Sequence, residues 1–195
     1  MGSRIVIVDG HPDPGRERFC HALADAYAQA AVEGARAVRR ITVAELDFPL
    51  LRTAKDWQDP NLVPAIRDCQ EALTWADHLV IIYPLWMGTM PAVLKAWFEQ
   101  VFRPGFAVPA GEGDGWPSGL LKGKSARLIV TMGMPAFAYR WYFFAHSLRS
   151  LERNILRFSG IAPVRDTLIG GIGSIDAGRR ERWIESIRAL GRDGL

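Results

Sequence analysis

Apolar positions along the chain fall into two alternating patterns. Short unbroken apolar runs occur at Ile5 to Val8 and Leu79 to Tyr83, as expected of strands buried on both faces, and Ala126 to Thr131 reads as a further core strand. Ala37 to Val43 is a further run interrupted by Arg39 and Arg40, which suits a strand at a sheet edge. Arg165 to Ile169 reads as the last strand. Between these runs the apolar positions recur with helical spacing. Phe19, Ala22, Leu23, Ala26, Tyr27 and Ala30 share one helical face. A second helix is predicted from about Leu62 to Trp75, and a third opened by Pro91, where the missing proline N–H is no loss. Leu148, Leu151, Ile155 and Phe158 continue a helix that starts near Tyr139 and stops at Gly160. Trp183, Ile184, Ile187 and Leu190 mark the final helix, capped by Ser174 or Asp176. Strand and helix alternate throughout, so an α/β fold with a parallel sheet is predicted.

No repeat, linker or low-complexity stretch divides the 195 residues, and that length suits one domain, residues 1–195, with a full core. Hydrophobic content of 49% and charged content of 23% are those of an ordinary globular protein. The net charge of +3 is small and its arginines are scattered along predicted helices. This favours anionic small molecules over nucleic acid, which asks for a denser basic patch. Cys20 and Cys69 lie far apart with no CxxC or Cys/His ligand spacing, so neither a disulfide nor a metal site is expected. No apolar run reaches the length of a membrane span, and Met1-Gly2-Ser3-Arg4 leads straight into a strand. A cytoplasmic protein, not embedded in a membrane, is the expectation.

The chemistry is expected in the loops after the strands, because ligands of open parallel sheets sit beyond the strands' carboxyl ends. The first loop, Asp9 to Arg16, is rich in turn residues and leads into a helix N-terminus, where free N–H groups and the helix dipole attract anions. Arg16 and Arg18 add charge-assisted donors for a phosphate. After the central strand, Pro84 ends the ladder and Gly88 permits a tight turn. Residues 104 to 124, dense in proline and glycine, are long for a plain connector, and long loops of this kind are often functional. Gly170-Gly171-Ile172-Gly173 lacks the spacing of a dinucleotide fingerprint. No convincing Ser/His/Asp or Cys/His nucleophile set is present.

Pro84-Leu85-Trp86, Gly88, Pro91-Ala92, Leu94-Lys95, Trp97, Val101-Phe102 and Pro104-Gly105-Phe106-Ala107 together resemble the flavin-ring loop of the flavodoxin-like NAD(P)H dehydrogenase (quinone) family. The resemblance covers most of residues 5–170. It implies a five-stranded parallel sheet of order 2-1-3-4-5 with helices on both faces, a bound FMN, with FAD as the alternative, and NAD(P)H as co-substrate. The implied reaction moves two electrons from NAD(P)H through flavin N5 to a quinone or similar acceptor, in ping-pong order. It also implies a homodimer with the site at its interface. On this resemblance the cofactor contacts are His11, Arg16, Arg18 and Phe19 in the first loop, Pro84, Leu85, Trp86, Met87 and Gly88 in the second, and Thr131, Met132, Gly133 and Met134 in the third. Tyr139 and His146 match a family tyrosine and histidine that stabilise charge on reduced flavin, and Phe106 and Trp116 are candidates for the substrate pocket. The first loop departs from the family, which has hydroxyl side chains where this chain has Gly15, Arg16, Glu17 and Arg18. A flavin-dependent azo- or nitroreductase and a flavin-binding regulatory subunit of a membrane transporter are the alternatives.

Overall fold

The structure, a computed structural model, describes residues 4–110 and 119–195. Five strands, β1 (Arg4–Asp9), β2 (Ala37–Thr42), β3 (His78–Pro84), β4 (Ser125–Thr131) and β5 (Val164–Ile169), form one parallel sheet of order 2-1-3-4-5. Every residue of β3 is buried, whereas β2 and β5 at the edges alternate or stay half-exposed. An unbroken apolar run therefore marks the centre of the sheet, and an interrupted one its margin.

Helices α1 (Phe19–Glu33) and α7 (Ala177–Asp193) cover one face. Leu23, Tyr27 and Ile187 pack there against Ile5, Ile7, Val80 and Ile82. Gly191 lets these two helices meet closely, because a Cβ at that position would lie 2.5 Å from the carbonyl oxygen of Tyr27. Helices α3 (Pro64–Trp75) and α4 (Ala92–Val101) cover the other face with Ile66, Leu73, Leu94 and the fully buried Trp97. Asp176 caps α7 by accepting from the Arg179 N–H at 2.7 Å. A short helix, α2 (Ala54–Gln58), precedes α3; Thr53 and Asp56 form a reciprocal capping box that sustains it.

One predicted helix is broken. The segment from Tyr139 to Phe158 divides into α5 (Ala136–Trp141) and α6 (His146–Ser150), the latter continuing as a wider turn over Leu151–Arg157. Phe144 and Ala145 separate them, with φ of 54° and 48°. Right-handed helix cannot pass through left-handed residues. Tyr139 and His146 therefore do not share a continuous helical face. Trp116 lies outside the described residues.

Candidate functional site

Parallel register brings the ends of β1, β3 and β4 level, pairing Asp9 with Ile82 and Pro84 with Thr131. The three loops that follow border the crevice expected beyond those ends, with the His11 ring of the first edge-on to Trp86 of the second. Bonds from the Gly10 N–H to the Ile82 carbonyl, from Leu85 to Thr131 and from Met132 to Ile169, all 2.7–2.9 Å, carry the ladder a step past the strand ends. Beyond that step several backbone donors are free. The N–H groups of Met87, Gly88, Gly133 and Met134 have no partner among the described residues. Trp86 and Thr89 exchange two backbone bonds of 2.8 and 3.0 Å, closing a tight turn whose middle residues, Met87 and Gly88, have φ of 48° and 81°. The turn pushes Met87 fully into solvent and leaves Trp86 half-exposed.

Beside this turn lies a largely apolar cleft of about 690 Å³, lined by Trp86, Met87, Met90, Lys95, His146 and Ser147 among others. His146 therefore reaches the cleft. Tyr139 stands behind it: the residue is buried, its hydroxyl is 2.7 Å from Ser147 Oγ, and it accepts the Leu148 N–H at 3.1 Å. The imidazole thus lines the cleft and the phenol stands behind it. Phe106 is half-buried and packs against the core, so it anchors its loop. Thr131 and Met132 are buried; the Thr131 hydroxyl meets Cys20 Sγ at 3.3 Å. Burial pushes the Cys20 thiol up to about 12, which keeps it from acting as a nucleophile.

The first loop is organised by its own charges. Asp13 accepts the Gly15 N–H at 2.8 Å and pairs with Arg18 at 2.5 Å. The Gly15 bond first, and Arg18 with it, hold the Asp13 carboxyl below the usual carboxylate range. His11 is buried, its Nδ1 accepts the Asp13 N–H at 3.1 Å, and its ring stands edge-on to Trp86 at 5.9 Å. Burial lowers the His11 pKa. The neutral ring that this favours, with Nδ1 accepting, carries its proton on Nε2. Phe19 is half-buried beneath the guanidinium of Arg180, and Arg16 is exposed beside a small polar cleft that also includes His21, Arg40 and Glu45.

Asp9, His21 and Arg40 were not singled out in the sequence. The Asp9 carboxylate, fully buried, meets Arg40 Nη2 and His21 Nδ1, each at 2.6 Å, and Arg40 also pairs with Asp25. His21 Nε2 reaches the Asp13 carbonyl at 2.8 Å. A charge at the end of an apolar strand, a histidine on a buried helix face and an arginine interrupting an edge strand were the available signals. Only the fold shows that the three meet. No group of metal-ligating side chains occurs among the described residues.

Comparison with known proteins places this arrangement. An uncharacterized NAD(P)H oxidoreductase of Haemophilus influenzae is 29% identical over 184 residues, 92% of this chain and 90% of that protein. An FMN-dependent NADH:quinone oxidoreductase of Beijerinckia indica is 29% identical over 185 residues, 87% of this chain and 88% of its own. A ribosyldihydronicotinamide dehydrogenase-like protein of Penicillium crustosum reaches 40% identity, but over 42% of this chain and only 33% of that protein. Among solved structures, Smu.1420 of Streptococcus mutans superposes with a TM-score of 0.79 at 26% identity, covering 97% of this chain and 99% of that one. The NAD(P)H:quinone oxidoreductase of Methanothermobacter marburgensis gives 0.82 over the full length of both chains at 22% identity, a likeness of fold. Residues 3–190 match the flavodoxin-like fold family, and the chain belongs to it.

Proposed function

We propose that this protein is a flavin-dependent NAD(P)H dehydrogenase of the quinone-reducing type, using FMN, with FAD as the alternative. The observation that carries this reading is the row of unpartnered backbone donors at Met87, Gly88, Gly133 and Met134 on the two loops after β3 and β4. An isoalloxazine edge presents ring nitrogens and carbonyls that need such donors, and its face needs a flat apolar neighbour such as Trp86. The donor chemistry of the crevice therefore fits the group. The Beijerinckia relative, matched over most of its length, is named for FMN, NADH and quinone.

The loop from Gly10 to Arg18 and the N-terminus of α1 would hold the flavin phosphate, with Arg16 and Arg18 supplying positive charge. Arg18 would have to exchange the Asp13 carboxylate for the phosphate. Bound flavin supplies the hydride acceptance and two-electron delivery that no side chain here provides. His146, exposed at the cleft, is the group able to hold or deliver a proton where the acceptor oxygen lies. Tyr139 keeps Ser147 and the start of α6 in place from behind. NAD(P)H and the quinone would occupy the cleft beside Trp86 in turn, which is a ping-pong order. Phe137, Trp141, Tyr142, Phe143 and Phe144, just before His146 in the chain, expose large apolar side chains. A patch of that kind suits a partner surface, and we assign it to a second copy of the chain.

The test is a visible absorption spectrum of the freshly purified protein, before and after anaerobic NADH or NADPH. Oxidised-flavin bands that bleach on addition are the expected result, and the bleaching nucleotide identifies the donor. A colourless protein that also takes up neither FMN nor FAD would overturn the reading.

A further inference from the structure

We propose that His21 is held as an imidazolium between Asp9 and the carbonyl of Asp13, and that it thereby fixes the loop receiving the flavin phosphate; the second half rests on the flavin reading above. His21 Nδ1 lies 2.6 Å from Asp9 Oδ2, and Nε2 lies 2.8 Å from the Asp13 oxygen. A backbone carbonyl only accepts. The Asp9 carboxyl also takes the Arg40 guanidinium at 2.6 Å on the same oxygen, so it is ionised and only accepts as well. Both ring nitrogens must then donate, and only the cationic ring has two N–H groups.

The charges around the ring are consistent with this state. Asp9 from β1 faces it directly, and Arg40 from β2 shares that carboxylate while also pairing with Asp25 of α1. Arg16 and Glu45 border the same small cleft, and the neighbouring ring of His11 stands edge-on at 5.3 Å. Asp13 lies beyond, its own carboxylate held by Arg18. His21 itself is almost wholly shielded from water, at 5% side-chain exposure. The Asp13 peptide is therefore gripped from both sides, its N–H by His11 and its carbonyl by His21. A ring with one proton can serve only one of its two acceptors. The charge-assisted bond to buried Asp9 is the stronger and is kept, so deprotonation releases the Asp13 carbonyl. His21 is a positioning residue in this scheme: it acts on the phosphate through the loop.

The experiment is ring ¹⁵N NMR of the flavin-free full-length protein across pH. Two protonated ring nitrogens on His21 at pH 7 are expected; a neutral single-tautomer pattern would overturn the proposal. This readout is independent of whether the chain binds flavin. FMN affinity, measured by fluorescence quenching, should weaken about tenfold between pH 7 and the pH at which NMR shows the ring deprotonated. His21→Gln, with a single amide in place of two ring donors, should weaken FMN binding similarly and remove that pH dependence. Unchanged affinity as the ring deprotonates, or a variant that retains the wild-type profile, would sever the ring from the loop. Should FMN not bind at all, the Gly15 amide reports instead: its protection against hydrogen exchange, relative to the intrinsic rate at each pH, should fall as His21 loses its proton. Exchange indifferent to that step would overturn the link.

Discussion

At the carboxyl end of the sheet, His21 meets an acceptor at each ring nitrogen, whereas at the amino end His78 meets the Ser125 hydroxyl at Nδ1 and no partner at Nε2 among the described residues. Both rings are buried. One lies against Asp9; the other lies near Arg127 and Arg165. Burial first, and then those two guanidiniums, pull the His78 pKa down to about 4. The same side chain is thus neutral at one end of the sheet and doubly donating at the other, and the neighbours decide which. In a parallel sheet the loops after the strands gather charged residues at one end. The opposite end only has to close over the core.

That contrast can be broken most severely at Asp9. Asp9→Ala leaves the buried His21 and the half-buried Arg40 without their shared anion, and removing one partner of a buried charge cluster costs about 3–5 kcal/mol. Urea unfolding should show that loss, and a change under about 1 kcal/mol would mean that the cluster is already solvated. A somewhat smaller effect is expected at His78. Its folded pKa lies below the ordinary value of 6.5, so between about 6.5 and 4 the unfolded chain binds a proton that the folded chain refuses. Stability is full above this window and falls as pH drops through it, by up to about 3 kcal/mol. His78→Gln should flatten the curve; an unchanged acid profile would remove His78 as its source. The smallest effect is on the loop itself. Asp13→Asn keeps an oxygen for the Gly15 N–H but removes the charge that competes for Arg18. FMN affinity should then rise about threefold at low salt, less as salt screens the charge. A fall instead would show that the carboxylate is needed as scaffold.

The unbroken runs at Ile5–Val8 and Leu79–Tyr83 marked the sheet interior, and the interrupted run at Ala37–Val43 marked an edge. Burial on both faces leaves no place for polar residues, so such strands are readable one at a time. The Trp86–Thr89 turn was readable because Gly88 permits a positive φ while the flanking prolines restrict the backbone locally. The break before His146 was not, since Phe144 and Ala145 carry no local preference for left-handed φ; their conformation is imposed by the surrounding structure. Arg40 read as nothing more than an interruption.

The sequence by itself determined the alternation of strands and helices, the central position of β3 and the loops in which the donors lie. Each of these depends on local spacing, on proline and glycine, or on the requirement that a doubly covered strand be apolar. Only the tertiary structure decided that Tyr139 stands behind Ser147, that Asp13 fills its own loop with charge, and that Asp9, His21 and Arg40 converge. His21 and Arg40 lie 12 and 31 positions from Asp9 along the chain. Register and crossover bring them within 2.6 Å, and at that range the partner, more than the residue type, sets the charge state.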